Sequence, residues 1–368
     1  MKVLFTLNSS NFGGMEKTVL DLVKGLPGVE KFVVCPEGDY FKQFKEFAHV
    51  YKFRPVKKLD LEYIKFLREV ISKNQIEIIH ANEPKVVFNS LLAAVGTSVK
   101  IKISHTHTPI SMWQVSFLAK ILNIFLNSFI VNLLSTYEIA LTQTIKERKI
   151  KEGILPYKLK IIPNALDSLF IEEVDNYKPL EVDQKFIKSI FDKTNFNILF
   201  LSRLTKEKNQ ILLINTLFEF LKKYPKTILI LAGKGSDYEI LKKKVRDLNL
   251  VANVKFLTEV SERDKLNLYL NCDLFVFPSL AEGFGITLLE AMYSCYPVIS
   301  SNLPVLKEVT KGKIMFFKSN NHKSLFSKLE EAQKATGNSA KLKENKKFIL
   351  ENYTINKYIN NYLEVYHK

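Results

Sequence analysis

The sequence predicts an α/β protein made of two doubly wound, parallel-sheet domains. Short apolar runs of strand length alternate with amphipathic helical stretches along the chain, the pattern of parallel sheets covered by helices. Glycine-bearing loops follow several of these runs and open the next helix, at residues 13–14, 233–235 and 283–285. That is the edge at which open α/β sheets bind ligands. A length of 368 residues is enough for two full cores.

Composition narrows the class. With 46% hydrophobic and 25% charged residues the chain is an ordinary globular one, which argues against disorder. Cys35, Cys272 and Cys295 are widely separated, without metal-ligand spacing, and point to a reducing compartment with no disulfide framework. The opening run 1–8 reads as a strand, not as a charged-then-apolar leader. The net charge of +16 is unusual and suits nucleic acid, anionic lipid or a polyanionic ligand. No zinc finger or RNP-type aromatic strand supports nucleic acid. An anionic membrane surface is the favoured partner, with solvated lysines as the plain alternative.

In chain order, residues 2–8 form the first strand, and Gly13 and Gly14 precede a helix whose Val19, Leu20, Leu22, Val23 and Leu26 share one side. Strands follow at 31–36, 51–56 and 76–82. Asn82 and Glu83 end the last of these, either at a ligand edge or as the cap of a helix starting at Pro84. The next strand is expected to end near Ser104, so that His105 and His107 project from the loop beyond it. Histidines two apart suit a metal, yet no third or fourth ligand has fitting spacing. A plain loop histidine is the alternative.

Residues 112–134 are almost wholly apolar and nearly long enough to span a bilayer, which takes ~20 such residues. Ser116, Lys120, Asn123 and Asn127 nevertheless fall at spacings of four, three and four, one polar stripe on a helix. A strand must follow at 137–142. The stretch therefore reads as an interfacial helix with its apolar face in lipid, or as a helix hairpin buried against its own domain. Basic stretches at 52–58 and 146–151 would attract anionic headgroups.

A polar segment with Pro179 places an inter-domain linker near 162–192. The second sheet opens at 197–202, with Arg203 at the strand end and Lys208 opening the next helix. Residues 227–232 form a strand leading into Gly233 and Gly235, and 254–258 another. The organising stretch is 273–299: a buried strand, a loop with Gly283 and Gly285, a helix, and a strand from Pro297. Glycine lets that loop turn tightly and approach a ligand. The helix start near Gly285 offers free N–H groups and a positive dipole end, an anion site. Glu282 lies in the loop and Glu290 inside the helix. Singly, such glycines can be mere turns and such acids mere dipole partners.

As a set, Glu282, Gly283, Phe284, Gly285, Glu290, Ala291, Met292, Pro297, Val298 and Ile299 resemble a family pattern. It is the E-G-F-G-x-x-x-x-E-A-M…P-V-I of retaining, GT-B-fold glycosyltransferases of family four, the group 1 type. The resemblance extends over nearly the whole chain, with specific motifs in the second half and vague ones in the first. It implies two Rossmann-like domains facing each other across a cleft. Residues 1–165 would bind the acceptor and 166–350 the nucleotide sugar, with a terminal helix at 351–368 crossing back onto the first domain. Residues 158–167 look like the family's crossing segment, with Ala165 and Leu166 in place of its usual Gly-Val.

The resemblance also implies roles. Gly283, Phe284, Gly285 and Ile286 would hold the donor diphosphate, and Glu290 the ribose hydroxyls, with Glu282 at the hexose. Arg203 and Lys208 match the family's G-R-l-x-x-e-K-g element, with Ser202 in place of Gly. Gly233 would lie near the nucleotide, and Leu257 and Thr258 would present backbone to the base. In the first domain, Gly13, Gly14 and Glu16 fit a G-G-x-E loop lying against the acceptor and the donor phosphates. His105 would touch the transferred hexose, aligning better than His107, which falls on the acceptor side.

Sugar transfer develops negative charge on the departing nucleoside diphosphate, which a metal or fixed cations must stabilise. The chain has no D-x-D motif, so Arg203 and Lys208 are expected to serve without a metal, and no cofactor is implied. Together with His105 and Glu282 they form the expected catalytic set. Glu282 is not expected to be a nucleophile, since a glycosidase-type carboxylate pair would have to flank the bond. The expected function is retaining hexosyl transfer from a nucleoside-diphosphate sugar to a glycan or lipid-linked acceptor. The setting would be bacterial capsule, lipopolysaccharide or glycolipid synthesis, cytoplasmic and peripheral on the inner face of the membrane, with no nucleic-acid partner. Its rivals are a GT-B-fold sugar-nucleotide epimerase, a non-catalytic nucleotide-sugar-binding partner and, more weakly, a nucleic-acid binder.

Overall fold

A computed structural model describes residues 1–367, which divide into two units. The first comprises Met1–Ala165 and the stretch from Tyr353 onward. Its strands are β1 (Lys2–Thr6), β2 (Glu30–Cys35), β3 (His49–Lys52), β4 (Ile78–Asn82), β5 (Ile101–His105), β6 (Tyr137–Ala140) and β7 (Leu159–Ile161). They pair in parallel in the order β3-β2-β1-β4-β5-β6-β7. Val3 and Phe5 enter one apolar layer and Leu4 the other, the alternation of a strand covered on both faces. The terminal helix Ile355–Tyr366 adds Tyr358, Tyr362 and Tyr366 to the layer of Val3 and Phe5. The end of the chain thus completes the core that its beginning starts.

The second unit, Leu166–Asn352, holds β8 (Phe196–Leu201), β9 (Thr227–Ala232), β10 (Val254–Leu257), β11 (Leu274–Phe277), β12 (Val298–Ser301) and β13 (Met315–Phe317). They run parallel in the order β10-β9-β8-β11-β12-β13. Both sheets therefore have a place where the winding reverses, between β1 and β4 and between β8 and β11. There the two following loops diverge and leave a crevice beyond the strands' carboxyl ends.

Three expectations need correction. Residues 162–192 are not an open linker: they contain the helices Ser168–Asp175 and Glu181–Ile190, both in the second unit. Buried Asp183 ties the latter to the helix Glu262–Asn271, accepting from Arg263 Nη2 at 2.6 Å and Asn267 Nδ2 at 2.8 Å. Phe170 and Val174 of the first helix and Ile190 of the second are buried as well, so both helices belong to the packed unit. Next, His105 is not in a loop; it closes β5, opposite Asn82 of β4, and is 1% exposed. Finally, 112–134 is not a buried hairpin. After a short turn at Ile110–Met112 it forms one helix, Phe117–Leu134, long and apolar enough to cross a membrane and with only Asn127, Ile130 and Val131 buried.

Candidate functional site

In the second unit the crevice between β8 and β11 is bridged by an ion pair. After β8 the chain makes a single 3-10 turn, Lys206–Lys208, before the helix Gln210–Leu221 begins. Lys208 therefore closes a turn and does not open the helix as expected. The turn carries its Nζ across to the loop after β11, 2.5 Å from Glu282 Oε1. Both residues are 8% exposed. Nζ also lies 5.3 Å from the ring centre of Phe277, the last residue of β11. Leu280 N–H donates to the Glu207 carbonyl at 2.7 Å, tying the same two loops a second time. Removing two charges from water costs several kcal/mol per ion, by order of magnitude, so each is tolerable because it neutralises the other.

Arg203 leaves the same loop toward water. Its side chain is 68% exposed, with Nη2 3.7 Å from Glu207 Oε1. It reaches the loop after β11 through Glu207, whereas Lys208 touches that loop directly. The two cations are one buried and one exposed charge on the same strand end, and not a preformed converging pair.

The anion cradle begins at Gly285, which takes a left-handed φ of 94° as the cap of the helix Ile286–Ser294. Of the two loop glycines only Gly285 needs this conformation. The first-turn N–H groups that follow, starting at Ile286, point out of the helix end by helix geometry. Phe284 is 3% exposed, so its side chain packs inward. Each oxygen of Glu290 has one donor within the fold: Oε1 accepts from Lys265 Nζ at 2.9 Å and Oε2 from the Tyr269 hydroxyl at 3.0 Å. Burial opposes the charge on Lys265, but Glu290 and Glu262 outweigh it and hold its pKa above the usual value. Burial, and then Glu290, push the Tyr269 hydroxyl well up. Lys265 and Tyr269 were not singled out in the sequence; their spacing of four on one helix is the signal that would have found them.

Gly233 and Gly235 serve the protein's own backbone. A Cβ on Gly233, at φ 136°, would stand 2.1 Å from the Ser202 carbonyl oxygen, and one on Gly235 2.1 Å from that of Leu204. Gly233 N–H donates to the Leu257 carbonyl at 2.8 Å, so that base-site candidate already has a partner within the fold. Thr258 follows it, half-buried. The close approach brings the ends of β8, β9 and β10 together, and with them Arg203.

In the first unit Gly13 caps the helix Gly14–Gly25, and Glu16 folds back over the helix start. A Cβ on Gly13 would meet Glu16 Oε2 at 2.3 Å. Glu83, after β4, is held at φ 69° and ψ 144° without capping its helix by side chain. Such a conformation costs a non-glycine residue about 1–3 kcal/mol and clusters at functional edges. His105 stacks on His107 at 3.6 Å between ring centres and on His80 at 5.7 Å. His105 Nδ1 faces the Tyr362 hydroxyl at 3.3 Å, His80 Nδ1 the Tyr366 hydroxyl at 2.8 Å, and His107 Nε2 faces Asn82 Oδ1 at 3.1 Å. Buried Lys149 pairs with Glu138 and donates to the Thr106 carbonyl at 2.7 Å. Burial, the neighbouring imidazoles and Lys149 hold His105 well below the usual histidine pKa, and burial with Lys149 does the same for His107. Burial lowers His80 to about 3. Burial thus favours the neutral imidazole at all three positions. Among the described residues no three His, Cys, Asp or Glu side chains gather as a metal site.

Comparison with known proteins gives the same division. Residues 12–168 match the family model described as Glycosyltransferase Family 4, and residues 181–348 that described as Glycosyl transferases group 1. An uncharacterized glycosyltransferase of Methanocaldococcus jannaschii is 30% identical over 248 residues, 65% of this chain and 58% of the relative's length. A capsular polysaccharide biosynthesis glycosyltransferase of Staphylococcus aureus, CapH, is 25% identical over 323 residues, 84% of each chain. Anabaena HepE, solved in complex with UDP and glucose, shares the fold with a TM-score of 0.83 at 21% identity, over 100% of this chain and 99% of its own.

Proposed function

The chain belongs to the group 1 glycosyltransferases, with a Family 4 domain ahead of the group 1 domain, and on that premise we propose that it is a retaining, metal-independent hexosyltransferase. The donor is a nucleoside-diphosphate sugar. Support comes from HepE, a neighbour in fold, which was solved with UDP. The acceptor is a glycan or a lipid-linked sugar at the inner face of the membrane, in surface polysaccharide or glycolipid synthesis. The name of the Staphylococcus aureus relative supports that setting.

The observation that carries the reading is Lys208 against Glu282 at the crevice between β8 and β11. A fixed ammonium stands beside the loop whose helix start offers backbone N–H groups to an anion. In the reaction the bond between the sugar's anomeric carbon and the phosphate oxygen breaks, and its electron pair leaves with the diphosphate. An acceptor oxygen bonds that carbon from the same face and its proton passes to the departing phosphate. Lys208 and the amides from Gly285 onward stabilise the growing charge, and exposed Arg203 swings in to complete the shell. Glu282 orients Lys208 and meets the hexose, and Glu290 faces the ribose. We assign Gly14 to the donor phosphates, Gly13, Glu16 and His107 to the acceptor, and His105 to the transferred sugar.

A thermal-shift series with UDP, other nucleoside diphosphates and their sugars tests the donor class, since a ligand stabilises the fold in proportion to its occupancy. Stabilisation by one diphosphate and its sugar, reduced in Lys208→Met, is expected. The absence of any shift would remove the reading. Donor conversion without acceptor would indicate an epimerase, and donor binding with no turnover in an acceptor pool a non-catalytic partner.

A further inference from the structure

We propose that the helix Phe117–Leu134 and the loop beside it form a docking face for an anionic bilayer, with the helix lying in the plane of the membrane surface. A helix on a protein surface in water buries its apolar stripe and shows its polar one. This helix leaves most of its apolar side chains in water. Of its polar stripe, Asn127 is 8% exposed and Asn123 accepts from Lys58 Nζ at 2.7 Å. Leu118, Leu122, Phe125, Phe129 and Leu133 recur at spacings of four, three, four and four, and each is more than half exposed. Only Ile130, Val131 and Asn127 of the helix are buried.

The apolar surface does not stop at the helix. The Lys58–Asn123 contact brings the neighbouring loop alongside, where Val56 is 78% and Leu59 51% exposed. Two separate segments therefore present large apolar side chains on one side of the first unit.

Charge and connectivity identify the occupant. Arg54, Lys57 and Lys58 are exposed beside Val56. Lys151 is exposed just before the turn whose Gly153 carbonyl accepts from Asn132 Nδ2 at 2.8 Å. Basic side chains flanking an apolar face match anionic headgroups over acyl chains. A second copy of the chain would bring those lysines against each other, on a molecule of net charge +16. A spanning mode is closed off by the fold. The helix joins β5 to β6, which pair directly at Ile103 and Tyr137, so both its ends are anchored to one sheet. Trp113, the chain's one tryptophan, stands half-buried just ahead of the helix, where an interfacial reporter is wanted.

The test is flotation of the full chain with vesicles of phosphatidylcholine alone or mixed with phosphatidylglycerol, followed by Trp113 fluorescence. The inference needs no donor or acceptor, so its outcome is independent of the transferase reading. The wild-type chain is expected to float with the anionic vesicles, with a blue shift of Trp113 and weaker binding at high salt. Leu118→Asp/Phe125→Asp should bind at least roughly tenfold less. Lys57→Glu/Lys58→Glu should lose the preference for anionic vesicles while melting like the wild type. A wild-type chain that stays soluble with both vesicle types overturns the proposal. So does a dimer that Leu118→Asp/Phe125→Asp splits, with no vesicle binding before or after.

Discussion

Lys208 Nζ stands 2.5 Å from Glu282 Oε1, joining the loop after β8 to the loop after β11 across 74 residues of sequence. Breaking such a pair from one side leaves a charge almost out of water. Lys208→Met is therefore expected to destabilise the second unit by about 3–5 kcal/mol, read as a fall in the urea midpoint. Lys208→Met/Glu282→Met should recover most of that stability, because no lone charge remains, yet stay inactive in sugar transfer. Full activity in the double variant would show the pair to be structural alone.

Arg203 makes the complementary case. With its side chain 68% exposed, Arg203→Ala should leave the unfolding free energy within about 0.5 kcal/mol of the wild type. Its loss should cost transfer roughly 2–4 kcal/mol in kcat/KM, the scale of one oxyanion donor. Unchanged kinetics would leave Arg203 an ordinary surface charge.

The histidine cluster makes the first unit sensitive to acid. His80, His105 and His107 all have pKa values depressed in the fold, His80 to about 3. In the unfolded chain they take up protons near pH ~6.5, while the folded imidazoles remain neutral. Their contribution is therefore whole above pH ~6.5 and is lost as pH falls from there toward the folded values, by roughly 1.4 kcal/mol per pH unit for each imidazole. Unfolding curves from pH 8 to 5, run in roughly half-unit steps, should show this slope, and His107→Gln should remove about a third of it. A flat profile over that range would mean that the folded imidazoles accept protons.

Gly233 holds strand ends together by having no side chain. Gly233→Ala would place a Cβ 2.1 Å from the Ser202 carbonyl oxygen at a φ of 136°. Backbone strain alone predicts a loss of about 1–3 kcal/mol, with the clash added to it. Calorimetry should show a lower Tm for the second unit. A melt identical to the wild type would mean that the β8 and β9 ends part without cost.

What the sequence determined by itself is what short stretches determine: the alternation of strands and helices, the glycine loops at strand ends, and the strand–loop–helix that carries Glu282, Gly285 and Glu290. Side-chain period, turn residues and caps act over a few neighbours, so they can be read from one segment at a time. What only the tertiary structure decided depends on residues far apart in the chain. Lys208 was visible as a cation near a strand end, but its partner Glu282 follows from the adjacency of β8 and β11. Glu290 was visible as a helix carboxylate, but Lys265 and Tyr269 come to it from another helix. His105 read as a loop residue because nothing local says that β5 extends to it or that Tyr362 of the last helix lies over it. The polar stripe of Phe117–Leu134 was legible as a stripe, yet its direction was not, because periodicity fixes which residues share a face and only packing fixes where that face points.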